Sequence, residues 1–210
     1  MRFSGFTADA TAFFEGLARH NDREWFAAHR DEYDEHVRGP LEALLAEAES
    51  RYGPGRVMRP NRDVRFSPDK SPYRLDASLM AGRVGAVYVR LSRSGLDVGG
   101  GIYELSRDQL RRGREAIAHR PTAADALRTV LDTLERQGFE LAGPSLKTVP
   151  RGYDRDHPAV ELLRMQHYAA SARLPLEASA DRIRTAWRRS EPLLDWIEQH
   201  VGPAQEPVRR

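Results

Sequence analysis

An α+β fold is what this sequence predicts: an antiparallel β-sheet meander with helices packed mainly on one face. Three observations point there. Four successive segments between residues 62 and 104 alternate apolar and polar side chains with period two, the mark of strands that bury one face. The stretches on either side place apolar residues at helical spacing instead. Finally, 210 residues suit a single domain, and a domain of that size buries roughly 70% of its unfolded-chain surface, enough to hold a core without disulfides or metal. That domain is expected to span residues 1–202, leaving 203–210, with its two prolines and terminal Arg-Arg, as a frayed tail.

Near the N-terminus, Phe13, Phe14 and Leu17 form one apolar stripe, and Asp22 is placed to cap a turn leading into Trp25 and Phe26. Residues 7–29 thus read as one or two helices broken at Asn21. Val37, Leu41, Leu44, Leu45, Ala48 and Tyr52 keep helical spacing through Pro40, so a long helix kinked there, or two abutting ones, should end at Gly53-Pro54-Gly55. His20, His29 and His36 lie in or beside this region. None has metal-ligand spacing, so surface or capping roles are expected, with no metal.

Residues 61–74 read Asn-Arg-Asp-Val-Arg-Phe-Ser-Pro-Asp-Lys-Ser-Pro-Tyr-Arg, the densest charge in the chain. Val64 and Phe66 alternate with Asp63 and Arg65 as in a first strand, and Pro68, Asp69 and Pro72 supply a turn that displays Lys70. Tyr73, Leu75, Ala77 and Leu79 then alternate with Arg74, Asp76 and Ser78 as a second strand, returning antiparallel. Segments 87–91 and 96–102 complete the meander. Its polar face should gather Asp63, Arg65, Arg74, Asp76, Tyr88, Arg90, Asp97 and Tyr103 as a ligand floor. Gly99-Gly100-Gly101 lacks the lysine of a P-loop and the later glycine of a dinucleotide fingerprint; glycines that let a helix or strand pack closely are the expected reading.

Ser106 and Gln109 then make a capping box for a helix to about His119, rich in arginines that read as a solvated face. Pro121-Thr122 opens another helix, with Ala126, Val130 and Leu134 inward and Gly138 as its stop. Residues 139–150 form a short strand or two and deliver Lys147. In the loop 151–158, Asp156 or His157 can cap a helix with Pro158 in its first turn, so His157 is either a cap or a site histidine. Residues 167–174 are a further candidate strand. A helix through Ile183 and Trp187 and another capped by Ser190 close the chain at Gly202.

The stretch RDVRFSPDKSPYR resembles the central motif of the uncharacterised family called domain of unknown function 2461. Further similar pieces follow in order: Gly5-Phe6, NDREWF at 21–26, GGGIY at 99–103, Arg114 and Ile117 as RxxI, and LKTVPRGYDRDHP at 146–158. The resemblance implies no established activity, and it carries no catalytic residues over.

The absence of cysteine excludes thiol catalysis and cysteine-ligated clusters and fits a reducing cytoplasm. No apolar run reaches the roughly 20 residues of a membrane helix. Net charge is only +2, a weak field. Of 33 basic residues only Lys70 and Lys147 are lysines; a shared anion would explain two compact ammonium groups kept in Pro-containing loops, as would chance. Three function classes follow. The leading one is a pocket for a small phosphate- or carboxylate-bearing ligand, lined by Arg62, Asp63, Arg65, Lys70, Arg74, Lys147 and His157, with aspartates orienting the arginines. If chemistry accompanies binding, His157 or Asp69 is the acid–base candidate, and no motif asks for a cofactor. The second class is a structural or interaction module with a buried Arg–Asp network. Nucleic-acid binding through arginine-rich helices and Tyr88/Tyr103 is the third; balanced charge and the lack of a recognition signature argue against it.

Overall fold

A computed structural model of the protein describes residues 3–65 and 67–205. Helices α1 (Ala8–Arg19) and α2 (Arg23–Ala28) form where the apolar spacing puts them, with Ala10, Phe13, Phe14 and Leu17 buried along α1. The Asp22 carboxylate accepts the Trp25 amide and caps α2. Next come α3 (Arg30–Tyr33), a π-helical turn (Asp34–Arg38) and α4 (Gly39–Tyr52), end to end. The expected kink is this π turn. By widening so that the Gly39 amide reaches Asp34 O, five residues back, it lets Pro40 enter the first turn of α4, where no N–H is needed.

Six strands form one antiparallel sheet in the order β1-β2-β3-β4-β6-β5. They are β1 (Gly55–Val57), β2 (Asp76–Gly82), β3 (Ala86–Ser92), β4 (Gly95–Ile102), β5 (Phe139–Leu141) and β6 (Tyr168–Leu174). β2, β3 and β4 are the last three strands of the expected meander. Ala77, Leu79, Ala81, Val89, Leu91, Leu96 and Val98 are buried, while Asp76, Ser78, Met80, Tyr88, Arg90, Ser92 and Asp97 alternate with them toward solvent.

The first expected strand is corrected. Residues 62–65 are loop, and the partner of β2 is β1, with Gly55 opposite Ala81 and Val57 opposite Leu79. A single antiparallel bridge joins Asn61 to Tyr73. Beyond it the ladder fails because Pro68 and Pro72 cannot donate, and because Asp63 and Asp69 take the local amides of Arg65 and Ser71. Phe66, expected in that strand, lies outside the described residues.

Further on, α5 (Arg107–His119) begins with the expected reciprocal Ser106/Gln109 capping box. α6 (Pro121–Arg136) buries Ala123, Ala124, Leu127, Leu131 and Leu134, whereas Ala126 is exposed and Val130 half-buried. The larger leucines set the inward face, rotating it from the expected one. The helix after His157 is the short α7 (Val160–Leu163), and α8 (Ala180–His200) is one helix rather than two. Ser190 does not cap: its buried hydroxyl donates to Ala186 O, and the helix continues through Pro192 to stop at Gly202 (φ 67). Of the expected tail, residues 203–205 are tied to α5, Pro203 O accepting from Arg112 and the Gln205 amide donating to Asp108; residues 206–210 lie outside the described residues. Among the described residues, no helix is long and apolar enough to cross a membrane.

Contacts divide the chain into two compact units. The first comprises residues up to Gly82, Tyr88–Val98 and Arg173–Thr185; the second comprises Arg83–Val87, Gly99–Ala172 and Ala186 onward. In the first, the rings of Phe13, Phe26 and Tyr33 meet at 5.3–6.0 Å. In the second, Trp196 packs on Tyr168 at 5.3 Å and donates Nε1–H to Ala123 O.

Candidate functional site

The charged loop of the first unit is held at its root. The Arg62 amide donates to Pro72 O and the Arg74 amide to Pro60 O, both at 2.8 Å. Asn21 clamps Tyr73 from α1's end: its Oδ1 accepts the Tyr73 amide (3.0 Å) and its Nδ2 donates to the Tyr73 carbonyl (2.9 Å). The Tyr73 ring stacks on Phe26 at 4.0 Å. The described residues between 61 and 73 are thereby presented from a fixed base.

Each arginine of the loop holds an aspartate. Arg62 pairs with Asp69; Arg65 grips Asp63 side-on through Nε (3.0 Å) and Nη2 (2.7 Å); Arg74 holds Asp76 through Nε (2.9 Å) and Nη2 (2.6 Å). The Arg65 hydrogen bonds, side-chain first and then backbone, bring the Asp63 pKa down to about 2. Arg62 and then Ser71 push Asp69 well below the carboxylate range, so it stays ionised and cannot deliver a proton near neutrality. Lys70 differs: its ammonium donates to Val64 O at 3.0 Å and, among the described residues, meets no carboxylate. The Arg65 and Asp63 side chains are 76% and 47% exposed, whereas Arg74 and Asp76 are 38% and 24% exposed, so the pairs run from the surface to a part-buried root.

On the sheet face of the same unit, Asp97 bridges two guanidiniums, accepting from Arg90 at 2.6 Å and from Arg173 at 2.8 Å, and Arg173 also reaches Ser94 O. Arg173 went unnoticed in the sequence; the alternation of Ser171 and Arg173 in the candidate strand, registered beside Asp97, is the signal that could have found it. Lys147 and His157 belong to the second unit. Lys147 is exposed, next to Leu146, whose amide donates to Arg164 O. His157 accepts the Ala159 amide at Nδ1 and turns Nε2 to Ala118 O on α5, so both ring nitrogens serve backbone groups. Tyr103, 58% exposed, stacks on His167 at 4.3 Å. Among the described residues, no three His, Asp or Glu side chains gather into a group able to hold a metal ion.

A family model described as "Conserved hypothetical protein (DUF2461)" matches residues 9–196. The chain belongs to DUF2461. Comparison with curated proteins and with solved structures found no match. The stretches that resembled DUF2461 in sequence make tertiary contacts within each unit. In the first, Asn21 and Phe26 of NDREWF hold Tyr73 of the central motif. In the second, Arg114 of RxxI donates to Leu163 O and Met165 O, and His157 of the DHP motif bonds to α5. The glycine triplet belongs to packing: a Cβ on Gly99 would overlap Ala170 O of β6, and one on Gly100 would stand 2.8 Å from Ser190 Cβ of α8.

Proposed function

We propose that this DUF2461 protein binds a small phosphate- or carboxylate-bearing molecule on its 61–74 loop, as a soluble cytoplasmic protein. The observation that carries this reading is the gathering of Arg62, Arg65, Lys70 and Arg74 on an exposed loop with a fixed root. A pair as exposed as Arg65–Asp63 adds little to stability, so stability does not account for the charge at that position. Aspartates hold the guanidiniums in place, and Lys70 keeps a charge that meets only a carbonyl among the described residues. An oxyanion would take the ammonium as a point charge and the arginine edges as forks. The proposal is one of binding: Asp69 is held ionised, and His157, in the second unit, bonds backbone groups through both nitrogens, so neither acid–base candidate is given a catalytic role.

Thermal unfolding against a panel of phosphorylated and carboxylated metabolites tests it. A ligand at 100 times its Kd stabilises by about 2.7 kcal/mol, roughly 5–10 °C for a chain of this length. Lys70→Ala and Arg62→Ala should keep the unliganded Tm within about 2 °C, as surface changes do, and lose the ligand shift. A second reading, an interaction module, is favoured by the aspartate already on each arginine; unfolding of either variant would support it.

A further inference from the structure

The second unit holds hydrogen-bond donors that its fold does not use. Tyr168 on β6 is fully buried, and its hydroxyl has no partner within the described protein. That hydroxyl lies against α5 at Gly113, where a Cβ would stand 2.7 Å from the oxygen. Any side chain there would crowd it. The next residue, Arg114, turns its guanidinium on the segment after α7, with Nε donating to Leu163 O (3.1 Å) and Nη2 to Met165 O (3.3 Å). Those two carbonyls flank Arg164, whose Nε is likewise buried without a partner. Tyr153, from the loop 151–158, is close enough to Arg114 and Tyr168 for their charges to act on one another.

Around Tyr168 and Arg114 the chemistry is one-sided; the carboxylate that acts on Tyr153, Glu115, pairs with Arg111. Arg114 is half-buried, burial lowers its pKa, and no carboxylate of the described residues pairs with it. A cation withdrawn from water normally has a counter-charge, and buried donors normally have acceptors. Here a guanidinium bonded only to neutral carbonyls stands near a buried tyrosine hydroxyl with no acceptor among the described residues.

We infer that Arg114, Tyr168 and Tyr153 form a binding site for a small oxyanion, a carboxylate or a phosphate, within the second unit. The anion accepts from the Tyr168 hydroxyl and from guanidinium edges, and supplies the charge Arg114 lacks. The inference uses no residue of the 61–74 loop and stands apart from the function proposed for it.

The test follows the arginine Nε–H resonances of the full chain by NMR, titrating with inorganic phosphate and, separately, with acetate, so that the two arms tell phosphate from carboxylate. A saturable shift of the Arg114 signal is expected with at least one of them. Tyr168→Phe should weaken that binding about tenfold, as loss of a hydrogen bond to a charged group does, and leave the unliganded Tm equal or higher because no orphan hydroxyl remains. Arg114→Lys, which keeps charge but loses the fork, should weaken it by at least as much. Shifts that fail to saturate, or unchanged affinity in Tyr168→Phe, overturn the site and leave these donors to buried water. Lys70→Ala should leave the shifts intact, so failure here is distinguishable from failure of the loop reading.

Discussion

Asp63 shows how far one neighbour can set a residue's chemistry on an exposed loop. The Arg65 guanidinium and amide both stabilise its carboxylate, which holds the Asp63 pKa at about 2 against an ordinary value of about 3.9. Because the folded-state pKa is depressed, the pairing is complete above about pH 4 and is lost as pH falls through about 2. The Asp63 carboxyl carbon, followed by NMR, should titrate near about 2 in the native protein, and Arg65→Ala should return it to near 3.9. A normal titration in the native protein would mean that Arg65 leaves Asp63 in solution. Asn21 is the counterpart with no charge: its two hydrogen bonds fix the root of the loop, although its sequence position suggested only a break between helices.

At the scale of elements, the glycines of β4 determine how closely its neighbour can lie. A Cβ on Gly99 would overlap the Ala170 carbonyl and come within 2.7 Å of Ser171 Cα, both rigid backbone. Gly99→Ala is therefore expected to cost more than about 3 kcal/mol, beyond the usual range for overpacking, or to prevent folding. Gly138 offers the control, since its φ of 83° favours glycine but nothing lies within 4 Å of an added Cβ. Gly138→Ala should cost only about 1–2 kcal/mol of left-handed strain. Urea unfolding of the two variants separates the effects; equal costs would show that backbone conformation, not strand approach, is what β4 needs glycine for.

For the whole molecule, 33 basic residues, 31 of them arginines, and 31 acidic residues leave a net charge of +2, and the ion pairs sit largely at the surface, as in Arg30–Asp34, Arg38–Glu42 and Arg111–Glu115. Such pairs are screened by salt and contribute little. Raising sodium chloride from about 0.05 to about 0.5 M should then move the Tm by no more than about 3 °C, the scale of 1 kcal/mol for this chain length. A fall of more than about 10 °C would instead reveal an ion-pair network that holds the fold. The sequence by itself determined what repeats locally: the helical stripes of α1 and α4, the Ser106/Gln109 box, the alternation in β2 to β4 and membership of DUF2461, because period and capping chemistry depend on near neighbours. Tertiary structure decided what depends on distant partners. It gave β2 the partner β1 instead of residues 62–65, since prolines and aspartate side chains withdraw that stretch from a ladder, and it rotated α6 to bury Leu127 and Leu131. It carried α8 through Pro192, where Ser190 is buried against Gly100. The cations of the loop were legible as a cluster, but the aspartate on each arginine was decided by the folded backbone, as was the meeting of Arg114 with a buried tyrosine more than fifty residues away, because spacing along a chain does not fix distance in space.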